Sequence, residues 1–129
     1  MKSGYDEDVS EVIESAKRKG FIVITTDEST LLLDIDSGSD FDICKAKIKI
    51  AIRLGYISSA KFRPSKKKGF HVVCELVEPA SPEKRVALQA ALGSDRLREL
   101  LAINHIDNGV KEFSFLFTTG LEWTEIPCA

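Results

Sequence analysis

Apolar positions along the chain repeat in segments with a period of two or near 3.6, and the switches between them predict the elements. Val9, Val12, Ile13 and Ala16 recur at helical spacing. Asp8 or Ser10 can cap that helix, which runs through Lys19, and Gly20 stops it. Phe21 to Thr25 is rich in β-branched residues and reads as a strand, Thr26 to Ser29 as a turn, and Leu31 to Asp36 as a second strand, so the pair is expected to form a hairpin. Ser37-Gly38-Ser39 is a loop, and Ser39 or Asp40 caps a helix to about Leu54. That helix turns Phe41, Cys44, Ile48, Ala51 and Ile52 inward and Lys45, Lys47, Lys49 and Arg53 largely outward. Ile57 to Arg63 is the next strand, Pro64 to Lys68 a turn, and Gly69 to Val77 a strand with Phe70, Val72, Cys74 and Leu76 on one face and His71, Val73 and Glu75 on the other. Ser81 or Pro82 opens a helix to about Leu92. Gly93-Ser94-Asp95 breaks it and caps another from Arg96 to about Ile106. Asn108-Gly109 is a turn, Val110 to Thr118 is the last strand with Phe113, Phe115 and Phe117 on one face, and Trp123 and Ile126 bring the tail back onto the body.

From residue 31 the order is strand, helix, strand, strand, helix pair, strand. That order predicts an α+β fold: a ferredoxin-like or RRM-like split βαβ antiparallel sheet with helices on one face, preceded by an extra helix and strand. The 129 residues fit a single domain, with 1–6 and 121–129 as the flexible ends. In this arrangement the strand ending at Asp36 lies antiparallel to the strand starting at Gly69, and the last strand flanks it on the other side. The Phe stripe and Leu33, Ile35, Phe70 and Val72 then face the helices. Asp34, Asp36 and His71 meet on the uncovered face, with Asp107 at the same end of the sheet.

Composition narrows the classes. Hydrophobic residues make up 43% of the chain, enough for a core, and a net charge of -2 from 18 basic and 20 acidic residues excludes a polycation. Three cysteines, Cys44, Cys74 and Cys128, form no CxxC pair, which points to a reducing, cytoplasmic setting. Cys44 and Cys74 fall on inward faces and read as small core residues. The first ten residues do not form a signal peptide, and no apolar run reaches the roughly 20 residues of a membrane span, so no membrane partner is expected.

Two stretches carry candidate chemistry. Leu31-Leu32-Leu33-Asp34-Ile35-Asp36 ends in two carboxylates spaced i, i+2, on one face of a strand. Such a pair repels itself unless a cation or a proton sits between. Ser65-Lys66-Lys67-Lys68-Gly69-Phe70-His71-Val72-Val73 is a Ser/Lys/Gly turn leading into a strand. Its N–H groups, lysines and imidazole can hold phosphate.

Together these stretches resemble the archaeo-eukaryotic primase (primase–polymerase) superfamily, as a minimal or divergent member. Its first motif is an apolar strand ending Asp-x-Asp, and its second is a Ser/Gly/Lys turn before an apolar residue, His and Val. Ile106-Asp107 is the candidate for the third motif, an apolar residue followed by Asp, and Asp95 competes with it. The resemblance implies an RRM-like catalytic sheet and metal-dependent nucleotidyl transfer in DNA replication. Asp34, Asp36 and Asp107 would be catalytic and hold Mg²⁺ or Mn²⁺, while Ser65, Lys66, Lys68, Gly69 and His71 would contact the nucleotide's phosphates. The implied partners are a nucleoside triphosphate and a single-stranded DNA template, with a further protein as a candidate to complete the site. Arg63 and Lys61 would extend a basic surface toward template phosphates.

The alternative on the same fold is a non-catalytic nucleic-acid-binding or regulatory protein. A rolling-circle initiator is disfavoured, because His71 and His105 are not spaced as a His-x-His pair and Tyr5 and Tyr56 lie outside predicted helix interiors.

Overall fold

The computed structural model describes residues 4–65, 68–110, 113–118, 120 and 122–127, with the backbone alone for 4–9. The elements follow in the order α1 (Gly4–Arg18), β1 (Ile22–Thr25), β2 (Thr30–Ile35), α2 (Gly38–Arg53), β3 (Ile57–Pro64), β4 (Phe70–Leu76), α3 (Pro82–Ala91), α4 (Arg96–Asp107), β5 (Phe115–Thr118) and β6 (Thr124–Glu125). The protein is α+β with split βαβ elements, and both of its sheets are antiparallel. One has the order β2-β4-β3-β6, the other is the pair β1-β5. Helix α1 starts at Gly4, earlier than the expected cap at Asp8 or Ser10 and inside the stretch expected to fray.

The core is built on β2. Leu31, Leu32, Leu33 and Ile35 are all fully buried, as expected for a strand covered on both faces. Leu31, Leu33 and Ile35 pair with Cys74, Val72 and Phe70 on β4 and pack under Phe41, Cys44 and Ile48 of α2, with Leu88 and Leu92 from the α3 end. Each such side chain stabilises the fold by roughly 1.5–3 kcal/mol. Phe41 stacks on Phe70 with centroids 4.1 Å apart and meets Phe62 at 4.7 Å. Ser37, not Ser39 or Asp40, caps α2: its hydroxyl accepts from the Asp40 N–H. Burial pushes the Cys44 thiol up to about 12 and the Cys74 thiol higher still, so both behave as core residues at neutral pH. No helix among the described residues is long and apolar enough to cross a membrane.

Two expected pairings do not form. β1 and β2 make no hairpin, and β5 does not hydrogen-bond to β2; instead β1 and β5 pair with each other, Ile22 with Thr118 through Thr25 with Phe115. The reason lies at the outer edge of β2. β4 occupies one edge, and polar groups from the α3–α4 region satisfy the other. The Leu32 N–H donates to Gln89 Oε1 (3.1 Å) and the Asp34 N–H to Ser94 Oγ (3.0 Å). The Asp34 carbonyl accepts from the Asp95 N–H (2.8 Å) and the Leu32 carbonyl from Arg98 Nη1 (3.0 Å). No backbone group is left at these two residues for another strand. Beneath them, Glu99 is buried and accepts from Gln89 Nε2, Ser94 Oγ and Arg98 Nη1, at 2.6, 2.7 and 2.5 Å.

Freed from the main sheet, the β1–β5 pair lies over its second face, where Ile24 and Leu116 pack with Leu32, Val73 and Trp123. The Phe stripe therefore does not face α2. Phe113 packs with Val86 and Ala102 of α3 and α4, and Phe115 with Ile13, Val23 and Val110. The tail does pack down, as Ile126 is buried and its N–H donates to the Ala60 carbonyl, and it adds the short strand β6 beside β3.

Because the Gln89 amide serves both the Leu32 N–H and Glu99, Gln89→Leu strands two buried polar groups. The expected loss is about 1–3 kcal/mol of unfolding free energy, read from the urea midpoint.

Candidate functional site

Period-two alternation in β2, β3 and β4 sets the site. Antiparallel register places Asp34 opposite His71, and His71 opposite Arg63. The three side chains form one row across neighbouring strands, on the face away from α2. His71 Nε2 stands 3.8 Å from Asp34 Oδ1, and the His71 side chain is 12% exposed. Burial holds the imidazole below its ordinary pKa; Asp34 opposes that shift, and Arg98 and Arg63 add to it. The shift favours the neutral imidazole at neutral pH.

β2 ends at Ile35, so Asp36 leaves the strand and stands exposed at the mouth of the loop. The Asp95 N–H bond to the Asp34 carbonyl brings the start of α4 against this loop. Asp95 caps α4 by accepting from the Arg98 N–H at 3.2 Å. Although Asp36 is exposed overall, partial desolvation of its carboxyl, then the charges of Asp95 and Asp34, a hydrogen bond with Asp95 and the charge of Asp40, raise its pKa from the ordinary value.

Asp34, Asp36, Asp95, Arg63, Ser65, Gly69, His71 and Arg98 line a cavity of about 690 Å³. The rest of the lining is mostly apolar: Leu97, Leu101, Phe113 and the half-buried rings of Phe21, Phe115 and Phe117, with His105 and Thr118 among them. Phe117 lies 6.3 Å from Phe21 and 5.2 Å from Phe115 between centroids. The volume falls within the usual range for a small-molecule site. Arg63 Nη1 and His71 Nδ1 are buried with no hydrogen-bond partner among the described residues. Gly120 backs the guanidinium, since a Cβ there would stand 2.8 Å from Arg63 Nη1.

The structure brings together Asp34, Asp36, Ser65, Gly69 and His71 of the sequence-predicted set. Asp107 is not among them. It is exposed at the C-terminus of α4, about 18 Å along the helix from the Asp95 cap at 1.5 Å per residue, and does not line the cavity. The third carboxylate beside the pair is Asp95, because the β2 edge binds the start of α4 and not its end. Lys66 lies outside the described residues, and Lys68 is exposed at the hairpin, away from the cavity lining. The sequence reading sends Arg63, with Lys61, toward template phosphates, and it singles out neither Arg98 nor the Phe21–Phe117 wall, which also line the cavity with Arg63. The recapping signal Gly93-Ser94-Asp95 was the one local pointer to the third carboxylate.

Hard carboxylate oxygens suit Mg²⁺ or Mn²⁺. Among the described residues no three His, Cys, Asp or Glu side chains converge as a ready-made metal cage. Mg²⁺ is ordinarily held by one or two carboxylates together with substrate phosphates, and the Asp34, Asp36 and Asp95 donor set fits that mode.

Two variants test this geometry. A Cβ on Gly69 would collide with the Ile35 carbonyl oxygen, so Gly69→Ala is expected to cost about 3 kcal/mol or more in chemical denaturation. Asp36→Asn relieves the carboxylate repulsion and is expected to raise the melting temperature at pH 7, read by circular dichroism. Comparison of the chain with known protein families, with curated proteins and with solved structures finds no match.

Proposed function

We propose that the cavity is the nucleotide site of a metal-dependent nucleotidyltransferase of the primase–polymerase type. One observation supports this reading above the others: Asp34, Asp36 and Asp95, drawn from two separate segments, line a cavity that His71 and Arg63 also line. Nucleotidyl transfer needs such an arrangement, with acidic oxygens beside positive or donating groups so that one end of a triphosphate is neutralised and the other is activated. Bound by these carboxylates, Mg²⁺ or Mn²⁺ would polarise the phosphate under attack and neutralise the departing pyrophosphate. His71 and Arg63 hold the triphosphate against the sheet. Gly69 lets the β3–β4 hairpin approach the end of β2 closely enough for Ser65 to line the same cavity. The half-buried rings of Phe21 and Phe117 offer a face for a nucleobase. A single-stranded DNA template is the partner this chemistry implies.

Primer synthesis or extension in Mg²⁺ or Mn²⁺, followed on a denaturing gel, tests the reading. Asp34→Ala, Asp36→Ala and Asp95→Ala are expected to lose on the order of 100-fold or more. Asp107→Ala is expected to retain wild-type activity. Wild-type protein that neither transfers nucleotides nor binds them by calorimetry removes the reading. Salt-dependent, metal-independent binding of single strands would instead mark the chain as a non-catalytic nucleic-acid-binding protein.

A further inference from the structure

We propose that the outer face of α4 is a dimerisation surface on which a second copy of this chain lays its own α4 antiparallel, with Leu100 of each copy against Ile103 of the other and Arg96 against Asp107. The surface is separate from the cavity, because none of these four residues lines it. The inference does not rest on the nucleotide reading.

Helix α4 is built the wrong way round for a surface helix. Its inner face carries the buried Glu99 and the part-buried Arg98, both tied into the hydrogen bonds at the β2 edge. Its outer face carries leucine and isoleucine: Leu97 is 65% exposed, Leu100 62%, Leu101 49% and Ile103 44%. A helix at the surface of a monomer ordinarily shows the reverse pattern, and a contiguous apolar patch on the outside marks a contact with another molecule.

The charges on the same stripe say what that molecule is. Arg96, Leu100, Ile103 and Asp107 follow at i, i+4, i+7 and i+11, which is one seam along a helix. Arg96 opens α4 and Asp107 closes it. Both are exposed, and neither takes part in an ion pair among the described residues. Each also sits at the wrong end for the macrodipole, which favours an acid at the start of a helix and a base at its finish. Within one chain this placement only costs stability. A two-fold axis through the middle of α4, between residues 101 and 102, turns it into complementarity: position 96 comes opposite 107 and position 100 opposite 103, in both halves of the contact. An unrelated helix would have to supply this order of charges, and the chain's own α4 already has it. The strip is about 18 Å long and about 10 Å wide. That is less than the roughly 800 Å² per partner of a standard interface, so the expected dimer is weak and depends on concentration.

The test is sedimentation velocity of the whole chain at low salt, from low to high micromolar concentration. The wild type is expected to pass from monomer to dimer. Leu100→Glu places a charge in the middle of the seam on both copies and is expected to weaken dimerisation at least about tenfold. Asp107→Arg sets arginine against arginine at both ends and should weaken it as well. The double variant Arg96→Asp, Asp107→Arg restores opposite charges across the axis and is expected to recover the dimer. Leu100 and Asp107 are exposed in the single chain, so melting temperatures taken at monomeric concentration should not fall, which separates lost association from lost folding.

A wild type that stays monomeric at the highest concentration overturns the inference. So does a dimer that Leu100→Glu or Asp107→Arg leaves intact, or one that the double charge swap does not recover.

Discussion

The fold turns on how the outer edge of β2 meets its hydrogen-bonding needs. A buried strand edge must be paired, and a neighbouring strand is the usual partner. Here Gln89, Ser94 and Arg98 supply side chains and Asp95 a backbone N–H, so that both polar groups of Leu32 and of Asp34 are satisfied. The buried carboxylate of Glu99 orients three of these groups at once. Such a network is stable only when every member is satisfied, because a half-paired polar group in a low-dielectric interior costs more than an apolar one.

Two consequences shape the cavity. The ends of α3 and α4 are anchored at the tip of β2, which carries Asp95 to Asp34 and Asp36. β5, with no edge to join, pairs with β1 and lies across the second face of the main sheet. The face that an RRM-like plan leaves open is thus roofed over part of its length, and the space beneath becomes a half-open pocket lined by both charged and aromatic residues. Arg98 ties the two layers together through the Leu32 carbonyl on one side and Ser114 and the Phe115 carbonyl on the other.

The polar lining is electrostatically uneasy. Carboxylates crowd at Asp36 and Asp95, a desolvated imidazole stands beside Asp34, and Arg63 and His71 each carry a buried nitrogen without a partner among the described residues. None of these arrangements lowers the folding free energy. Groups held at such a cost while the rest of the core is well paired are characteristic of sites selected for binding or chemistry, at the expense of stability.

Much of this was legible in residue order. The Leu31-Leu32-Leu33 run, the helical spacing around Phe41, Cys44 and Ile48, and the Ser81-Pro82 and Gly93-Ser94-Asp95 punctuation dictate the strands and helices. Strict alternation in β2 and β4 then forces Asp34 and His71 to one face. Those outcomes follow from local backbone geometry and from a register that the β3–β4 hairpin and the hydrophobic pattern impose together. The partners of β1 and β5, and the choice of Asp95 over Asp107 as third carboxylate, were settled only when the chain assembled. Both hinge on a contest for one strand edge between backbone groups and the side chains of Gln89, Ser94 and Arg98, residues 57 to 66 positions away from the groups they bind. Periodicity records which face a side chain takes, and it holds no record of such a distant hydrogen bond.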